Sequence, residues 1–175
     1  MQSLISVIVN FHNGEKYLER CIKSIISQEY KNFEIIAWDN ASTDNSKKII
    51  EKFKEAKIRY FRHPIKENLY KARNRAIEKS SGQLIAFLDS DDWWEENYLS
   101  SREKHFRDTN IDFFYSNTNI FHEKIRKKKL YRDFSLPHGK IFSDLVKDYF
   151  IIISGTIFKK ELFEKYGKFN ENYSI

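Results

Sequence analysis

Leu84-Ile85-Ala86-Phe87-Leu88-Asp89-Ser90-Asp91-Asp92 is a run of five apolar residues that leads directly into three carboxylates. The apolar run is typical of a strand that is buried on both faces of a parallel sheet. Carboxylates crowded behind such a strand are costly unless a cation neutralises them. Mg²⁺ or Mn²⁺ binds carboxylate oxygens and completes its coordination with phosphate and water. The stretch therefore predicts a divalent metal and a diphosphate ligand.

The same carboxylates have a simpler interpretation, in which they cap the next helix and face solvent. Taken alone, the stretch leaves both interpretations open. Trp93 and Trp94 follow immediately, and an acidic cluster between a buried strand and two tryptophans favours the binding role.

Strand and helix patterns alternate upstream of this stretch. Apolar runs predict buried strands, and apolar residues at three- and four-residue spacing predict helices. The predicted elements are a strand at Leu4–Val9, a helix from Glu15, a strand at Phe33–Trp38, a helix carrying Ile49, Ile50 and Phe53, a strand at Ile58–Arg62 and a helix at Leu69–Lys79. This alternation predicts right-handed crossovers and an α/β fold with a mainly parallel sheet, covered by helices on both faces.

The pattern is less regular and richer in aromatic and basic residues after Asp92. The predicted elements are a helix at Asn97–Arg107, a strand at Ile111–Ser116, a hairpin before Arg132, a helix at Phe142–Tyr149, a buried strand at Ile151–Phe158 and a helix at Lys160–Tyr166 that ends at Gly167. Nothing in the sequence resembles a linker, so all 175 residues are expected to form one domain.

Two further polar clusters follow predicted strands. They are residues 10–15, which include Asn10, His12 and Glu15, and residues 39–44, which include Asp39 and Asn40. Ligands of open parallel sheets bind outside the carboxyl ends of the strands, so we expect both clusters to meet the three aspartates in one crevice. His12 is suited to stack on a base and Glu15 to bind a ribose or ring nitrogen. Each cluster alone is equally compatible with helix capping or loop formation.

The formal net charge of +6 suits nucleic acid, phosphorylated small molecules or an anionic membrane face. No nucleic-acid-binding motif is recognisable, and the acidic crevice disfavours that partner. The basic run from Arg126 to Lys129 is interpreted as a solvated loop or hairpin tip, with contact to anionic lipid as the alternative.

Cys21 is the only cysteine, so no intrachain disulfide can form, and its apolar neighbours predict a buried thiol. No apolar run approaches the roughly 20 residues that span a bilayer. These features predict a protein of the reducing cytoplasm.

Seven stretches form one pattern in fixed order. They are Ile5-Ser6-Val7-Ile8-Val9, Asn13-Gly14-Glu15-Lys16-Tyr17-Leu18, Ser27-Gln28, Phe33-Glu34-Ile35-Ile36, Asp39-Asn40-Ala41-Ser42-Thr43-Asp44, Ala72-Arg73-Asn74 and Phe87-Leu88-Asp89-Ser90-Asp91-Asp92. This pattern resembles the family 2 glycosyltransferases, closely up to about Leu99 and loosely beyond. The resemblance implies a GT-A fold, with a nucleotide-sugar-binding half at residues 1–99 and the start of an acceptor half at residues 100–175.

The resemblance also implies roles for single residues. Asp91 matches the metal-coordinating aspartate of the family, and Asp89 the aspartate near the ribose and the metal; Asp92 completes this acidic motif. The remaining donor-pocket positions are Asn10, His12, Glu15, Asp39, Asn40 and Arg73. The cofactor implied is Mn²⁺ or Mg²⁺, and the donor is a nucleoside diphosphate sugar.

Three departures from the family pattern stand out. Asn40 replaces a common second aspartate, so the base need not be uracil. The segment from Glu67 to Ala72 is shorter than usual and lacks a glycine. The acidic motif that carries the general base in the family is expected beyond Ile175, which predicts a truncated catalytic domain.

These observations predict a metal-dependent, inverting glycosyltransferase that acts on a glycan or lipid-linked acceptor, at the inner face of the cell membrane by family analogy. Two alternative functions remain. A nucleotidyltransferase usually has a basic, glycine-rich loop after its first strand, and residues 10–14 have one glycine and no Lys or Arg. A non-catalytic nucleotide- or glycan-binding module would use the aromatic and basic surface after Asn117.

Overall fold

Strands and helices alternate along residues 2–53 and 57–173, the part of the chain that the computed structural model describes. The strands are β1 (Ile5–Phe11), β2 (Phe33–Asn40), β3 (Ile58–His63), β4 (Leu84–Phe87), β5 (Phe113–Tyr115), β6 (Asn119–His122), β7 (Lys127–Leu130) and β8 (Thr156–Lys159). The α-helices are α1 (Leu18–Ile26), α2 (Ser46–Glu51), α3 (Leu69–Glu78), α4 (Tyr98–Asp108), α5 (Phe142–Lys147) and α6 (Glu161–Tyr166).

Six strands form one sheet in the order β3-β2-β1-β4-β8-β5. The first four are parallel to one another, and β8 runs antiparallel to both β4 and β5. The predicted mainly parallel α/β sheet is therefore confirmed. A separate hairpin of β6 and β7 confirms the predicted hairpin before Arg132.

Helices cover both faces of the sheet, as predicted. Alternate residues of β1 point to opposite faces, because the side-chain period of a strand is two. Val7 and Val9 face the core that contains α1, α2 and α4, whereas Ile8 faces the core that contains α3. Cys21 lies fully buried in the first core, and burial raises the pKa of its thiol, so it packs as a small apolar side chain.

Local hydrogen bonds decide where two of the predicted helices begin. α1 begins at Leu18 and not at Glu15, because residues 15–17 form a turn in which the Tyr17 and Leu18 amides both donate to the Gly14 carbonyl at 3.0 Å. α3 begins where predicted, since the Asn68 side chain caps it by accepting from the Lys71 amide at 2.9 Å.

The predicted buried strand at Ile151–Phe158 is wrong in its first half. A 3-10 turn occupies Ile153–Gly155, and β8 starts only at Thr156. Gly155 lies so close to β5 that a Cβ there would be 2.9 Å from the Ser116 carbonyl oxygen. The Ser116 amide donates to the Gly155 carbonyl at 3.1 Å, so the end of this turn is held beside β5.

The Glu34 carboxylate joins β2 to its neighbours. It accepts from the Ser6 hydroxyl at 2.6 Å, from Arg59 at 2.9 Å and from the Ser81 amide. Burial alone would raise the pKa of Glu34, but these hydrogen bonds outweigh it and hold that pKa below the ordinary value of 4.5. Ionised Glu34 therefore stabilises the fold.

Glu34→Gln is expected to lower the free energy of unfolding at pH 7 by about 1–2 kcal/mol, because the three hydrogen bonds to the carboxylate lose their charge assistance. A depressed carboxyl pKa contributes stability that is present above the unfolded-state pKa and lost as pH falls through the folded-state pKa. The difference from wild type should therefore disappear in urea titrations as pH drops below 4.5. A pH-independent difference would contradict this assignment.

Candidate functional site

The loops after β1 and β2 are joined by hydrogen bonds. The Asn13 amide donates to the Ser42 hydroxyl at 2.9 Å, and the Thr43 amide donates to the Asn13 side chain at 2.8 Å. Both loops turn through left-handed residues, with φ of 54° at Asn13 and 65° at Ala41. Such strained positions persist only where surrounding contacts hold them, so these loops form one rigid platform at the carboxyl end of the sheet.

Glu15 and Asp44 fasten this platform to α2. Asp44 accepts from the Glu15 amide at 2.9 Å and from the Ser46 amide at 3.0 Å. The Glu15 carboxylate in turn accepts from the Asn45 amide at 3.1 Å and from its side chain at 2.8 Å. Asp44 thus acts at a helix start, the simpler of its two interpretations. Glu15 has protein partners here, and its contact with a ribose or ring nitrogen stays a prediction.

Asp39, Asn40 and His12 also have partners within the protein. Asp39 is 1 % exposed and accepts from the Ser42 amide at 2.7 Å and the Tyr60 hydroxyl at 2.6 Å. The Asn40 side chain donates to the Glu67 carbonyl at 2.8 Å and accepts from the Glu67 amide at 3.0 Å. The roles of Asp39 and Asn40 in base recognition stay predictions, while their contacts fix the loops around the expected pocket.

His12 links the ends of β1 and β2. Its Nδ1 lies 2.9 Å from the Asn40 carbonyl oxygen, which can only accept, so Nδ1 carries the proton. The ring is half-buried and held in one orientation by this bond. Stacking of this ring against a base remains a prediction.

Arg73 and Asp89 meet on the α3 side of the site. A guanidinium nitrogen of Arg73 lies 3.2 Å from the Asp89 carboxylate, and the arginine side chain is only 8 % exposed. Asn10, the residue before the last of β1, lies on the same face of the sheet as Ile8, and both polar atoms of its side-chain amide are buried without a partner among the described residues. Buried amides normally have partners, so Asn10 is suited to bind a ligand.

The three aspartates after β4 have different surroundings. The Asp89 side chain is 42 % exposed, Asp92 is partly buried, and Asp91 is exposed. Burial raises the pKa of Asp89, an effect that Arg73 opposes. Burial also raises the pKa of Asp92, against a hydrogen bond from Ser154 and with a further increase from Asp91. The surroundings of Asp89 and Asp92 thus disfavour their ionised forms, and a bound cation would offset this effect.

These aspartates suit a divalent cation that also binds phosphate. Within residues 2–53 and 57–173, no three His, Cys, Asp or Glu side chains are gathered closely enough to hold a metal alone. The Asp91 carboxylate has no hydrogen bond or ion pair in that part of the chain. The backbone carbonyl of Asp91 accepts a hydrogen bond from the Arg20 side chain at 3.3 Å. One or two carboxylates completed by phosphate and water are the usual Mg²⁺ arrangement, so Asp91 and Asp89 fit such an ion.

Ser154 organises this loop, and the sequence did not predict it. Its hydroxyl donates to the Asp92 carboxylate at 2.5 Å and accepts from the Asp89 amide at 3.1 Å. Its carbonyl accepts from the Trp94 indole at 2.7 Å. Ser154 lies 62 residues after Asp92, so only an unusual Ser-Gly pair inside an apolar run hinted at it.

Ser154→Ala is expected to destabilise the domain by about 1–3 kcal/mol, because it leaves the Asp89 amide and the partly buried Asp92 carboxylate without this partner. Urea denaturation measures the loss. Ser81→Ala, which removes an exposed hydroxyl bonded to Arg59, is the matched control and should change stability by less than about 0.5 kcal/mol. Equal effects of the two variants would contradict the organising role of Ser154.

Beside Asp91 a cleft of about 850 Å³ opens between Trp93 and the β6–β7 hairpin. The Arg20 guanidinium lies 3.9 Å above the centre of the Trp93 ring, and Phe121 of the hairpin packs edge-on against that ring at 5.5 Å. The acidic loop is thus bordered by the Arg73 pocket on one side and by this aromatic cleft on the other.

Asn74, next to Arg73 on α3, holds the chain after α6. Its side chain donates to the Phe169 carbonyl at 2.9 Å and to the Glu171 carboxylate at 2.8 Å, and accepts from the Phe169 amide at 3.0 Å. Glu171 is therefore engaged with α3. The general base expected beyond Ile175 lies outside the described residues.

A mainly parallel sheet with an antiparallel strand beside β4 and an acidic loop after β4 defines a domain of the GT-A type. The chain belongs to glycosyl transferase family 2, since residues 6–167 match that family. The family favours sugar transfer over the nucleotidyltransferase and non-catalytic alternatives.

Curated relatives include the glycosyltransferase GlyA of Streptococcus pneumoniae, 33% identical over 92% of this chain and 25% of the relative. The UDP-Glc:alpha-D-GlcNAc-diphosphoundecaprenol beta-1,3-glucosyltransferase WfgD of Escherichia coli is 31% identical over 83% of this chain and 56% of the relative. The chain thus spans little more than half the length of WfgD and a quarter of GlyA.

Solved structures share the fold. Residues 1–349 of S. aureus TarS, in complex with UDP-GlcNAc, superpose with a TM-score of 0.76 at 19% identity over 93% of this chain and 47% of that chain. The mannosyltransferase PcManGT from Pyrobaculum calidifontis, in complex with GDP-Man and Mn²⁺, superposes with a TM-score of 0.75 at 18% identity. The match covers 98% of this chain and 49% of that chain. At these identities the likeness shows the GT-A fold alone.

Proposed function

We propose that this chain binds a nucleoside diphosphate hexose at the carboxyl ends of β1, β2 and β4, and that the protein transfers the hexose to a lipid-linked glycan with inversion. The observation that carries the proposal is the exposed Asp91 carboxylate, which lies without a protein partner among the described residues and two positions from Asp89. An exposed carboxylate beside two partly buried aspartates is placed to bind a cation together with phosphate oxygens.

Arg73 and Asn10 are the groups proposed to receive the donor on the α3 side. Arg73 is held beside Asp89 by the 3.2 Å contact, and a guanidinium in this position can pair with diphosphate oxygens. Asn10 offers an amide donor and acceptor that lack protein partners in the described structure. His12, Asp39 and Asn40 hold the loops that we propose to surround the base.

Asp91 and Asp89 would hold Mn²⁺ or Mg²⁺. When bound there, such an ion neutralises the charge that develops on the diphosphate leaving group. Ser154 keeps the Asp89 amide and the Asp92 carboxylate in place, and Trp94 closes the loop against the core. An acceptor hydroxyl that attacks the anomeric carbon opposite the diphosphate inverts its configuration. The bond to the diphosphate oxygen breaks as the new bond forms, and the hydroxyl proton passes to a general base outside the described residues.

The donor and acceptor classes rest on the relatives. WfgD is named for transfer of glucose from UDP-Glc to GlcNAc-diphosphoundecaprenol, and the TarS structure contains UDP-GlcNAc. Both support a UDP-hexose donor for this protein, and the name of WfgD supports a diphosphate-linked lipid acceptor. PcManGT was solved with GDP-Man and Mn²⁺, which supports the metal and makes GDP the donor nucleotide to compare.

Isothermal calorimetry of this chain with UDP and GDP, each with and without Mn²⁺, tests the proposal. We expect binding of one nucleotide that is at least about tenfold tighter with Mn²⁺, because the ion removes the repulsion between diphosphate and the acidic loop. Arg73→Gln should weaken that binding, whereas the exposed Arg107→Gln should not. Indifference to both nucleotides in the presence of Mn²⁺ would overturn the proposal.

A further inference from the structure

The β6–β7 hairpin has an inner face that packs on the domain. Directly opposed residues share a face, so Phe121 and Lys128 lie together. Phe121 contacts the Trp93 ring, and the Lys128 ammonium pairs with Glu95 at 2.9 Å. A two-stranded hairpin is only marginally stable by itself, so these contacts with the domain fix its orientation. The alternate residues of both strands form the opposite, outer face of the hairpin.

That outer face is basic and apolar. It carries Lys127 opposite His122 and Lys129 opposite Ile120, and all four residues are exposed. No acidic residue lies on either strand. The basic run therefore includes strand residues as well as Arg126 in the turn, where φ is 51°.

The turn between β6 and β7 carries an exposed apolar side chain between two cations. Ile125 is 63% exposed and stands between Lys124 and Arg126. Glu123 is the only acidic residue of the hairpin, and its side chain contacts the domain. It accepts a hydrogen bond from the Tyr17 hydroxyl at 3.2 Å and lies 3.6 Å from the Lys16 ammonium. The tip thus presents an apolar side chain with cations on both sides.

We propose that this outer face and tip dock on an anionic lipid surface. Each cation near such a surface contributes about 1 kcal/mol, or about fivefold in affinity, and these factors multiply over a cluster of cations. An apolar side chain at the tip enters the boundary between headgroups and acyl chains. Ile125 gains nothing from a hydrophilic polyanion, so the combination favours lipid over free polyphosphate or nucleic acid.

The location of the face agrees with this partner. Lys127 and Lys129 do not line the cleft beside Asp91, whereas Lys128 and the exposed Ile120, His122 and Ile125 do. A membrane bound through Lys127 and Lys129 would therefore border the cleft. No helix of the described residues is long and apolar enough to cross a membrane, so contact of this chain with lipid would be at the surface.

Co-sedimentation with vesicles tests the proposal. The wild-type chain should bind vesicles that are about one third phosphatidylglycerol and not pure phosphatidylcholine, and binding should fall at about 1 M salt, where the Debye length is about 3 Å. Lys127→Glu with Lys129→Glu should weaken binding by about 25-fold or more. Ile125→Ser should weaken it by about tenfold, because an apolar contact with the membrane is lost.

Matched controls make each outcome decisive. Lys104→Glu with Lys165→Glu causes the same change in net charge on exposed positions of α4 and α6, and it should leave binding within about threefold of wild type. Equal losses in both double variants would show a non-specific effect of net charge and overturn the proposal. Unchanged binding in Ile125→Ser, with equal binding to inorganic polyphosphate, would assign the face to polyanions. Mn²⁺-dependent UDP binding of the hairpin variants reports separately on the proposed donor site.

Discussion

Asp91→Asn should weaken Mn²⁺-dependent binding of the preferred nucleotide by about 100-fold or more, while the domain unfolds at the wild-type temperature. Loss of a carboxylate ligand removes several kcal/mol of metal-mediated attraction to the diphosphate. The fold should not change, because the Asp91 carboxylate makes no hydrogen bond or ion pair among the residues that the structure describes. Calorimetry and a thermal melt measure the two quantities on one sample.

The same variant should behave in the opposite way without metal. Removing one negative charge beside Asp89 and Asp92 lessens the repulsion felt by the diphosphate, so metal-free binding should be equal to or slightly tighter than that of wild type. Asp108→Asn, at the exposed end of α4, is the control and should change neither affinity. Nucleotide binding in Mn²⁺ that stays within twofold of wild type would refute the role of Asp91.

Local sequence patterns were sufficient to predict most of the fold. Burial of an element is visible in the pattern of its own residues. The apolar runs of β1, β2 and β4 and the spaced apolar residues of α1 and α3 therefore predicted these elements. The rule that ligand loops follow the strands of a parallel sheet then placed residues 10–15, 39–44 and 89–92 at one end of the sheet, as the structure has them.

Long-range partners were not predictable in this way. Nothing near Asn40 indicates that its amide binds the Glu67 backbone, 27 residues later, and nothing near Asp92 indicates Ser154. The direction of β8 is a further example, because its apolar residues fit a parallel or an antiparallel strand equally well. Such contacts depend on the assembled fold and leave no periodic signal.

Gly82→Ala is expected to destabilise the domain by about 3 kcal/mol or more, the largest stability effect among the variants considered. Gly82 is buried between α3 and β4, where its amide donates to the Ser6 hydroxyl at 2.8 Å. A Cβ there would lie 2.6 Å from both the Leu4 carbonyl oxygen and the Ser6 amide nitrogen. Both are backbone atoms at the start of β1, so the strand itself must move.

Gly14→Ala provides the matched control for Gly82→Ala. Its nearest neighbour, the Phe11 Cβ, would lie at 3.4 Å, an ordinary van der Waals contact, and the change should cost less than about 1 kcal/mol. Urea denaturation should show a lower midpoint for Gly82→Ala with an unchanged m-value, because the native state loses stability and not its cooperative unfolding. If the two variants unfold at the same urea concentration, then β1 can shift away from position 82 without loss of unfolding free energy. In that case the close packing of the α3–β4 connection against β1 does not determine the stability of the domain.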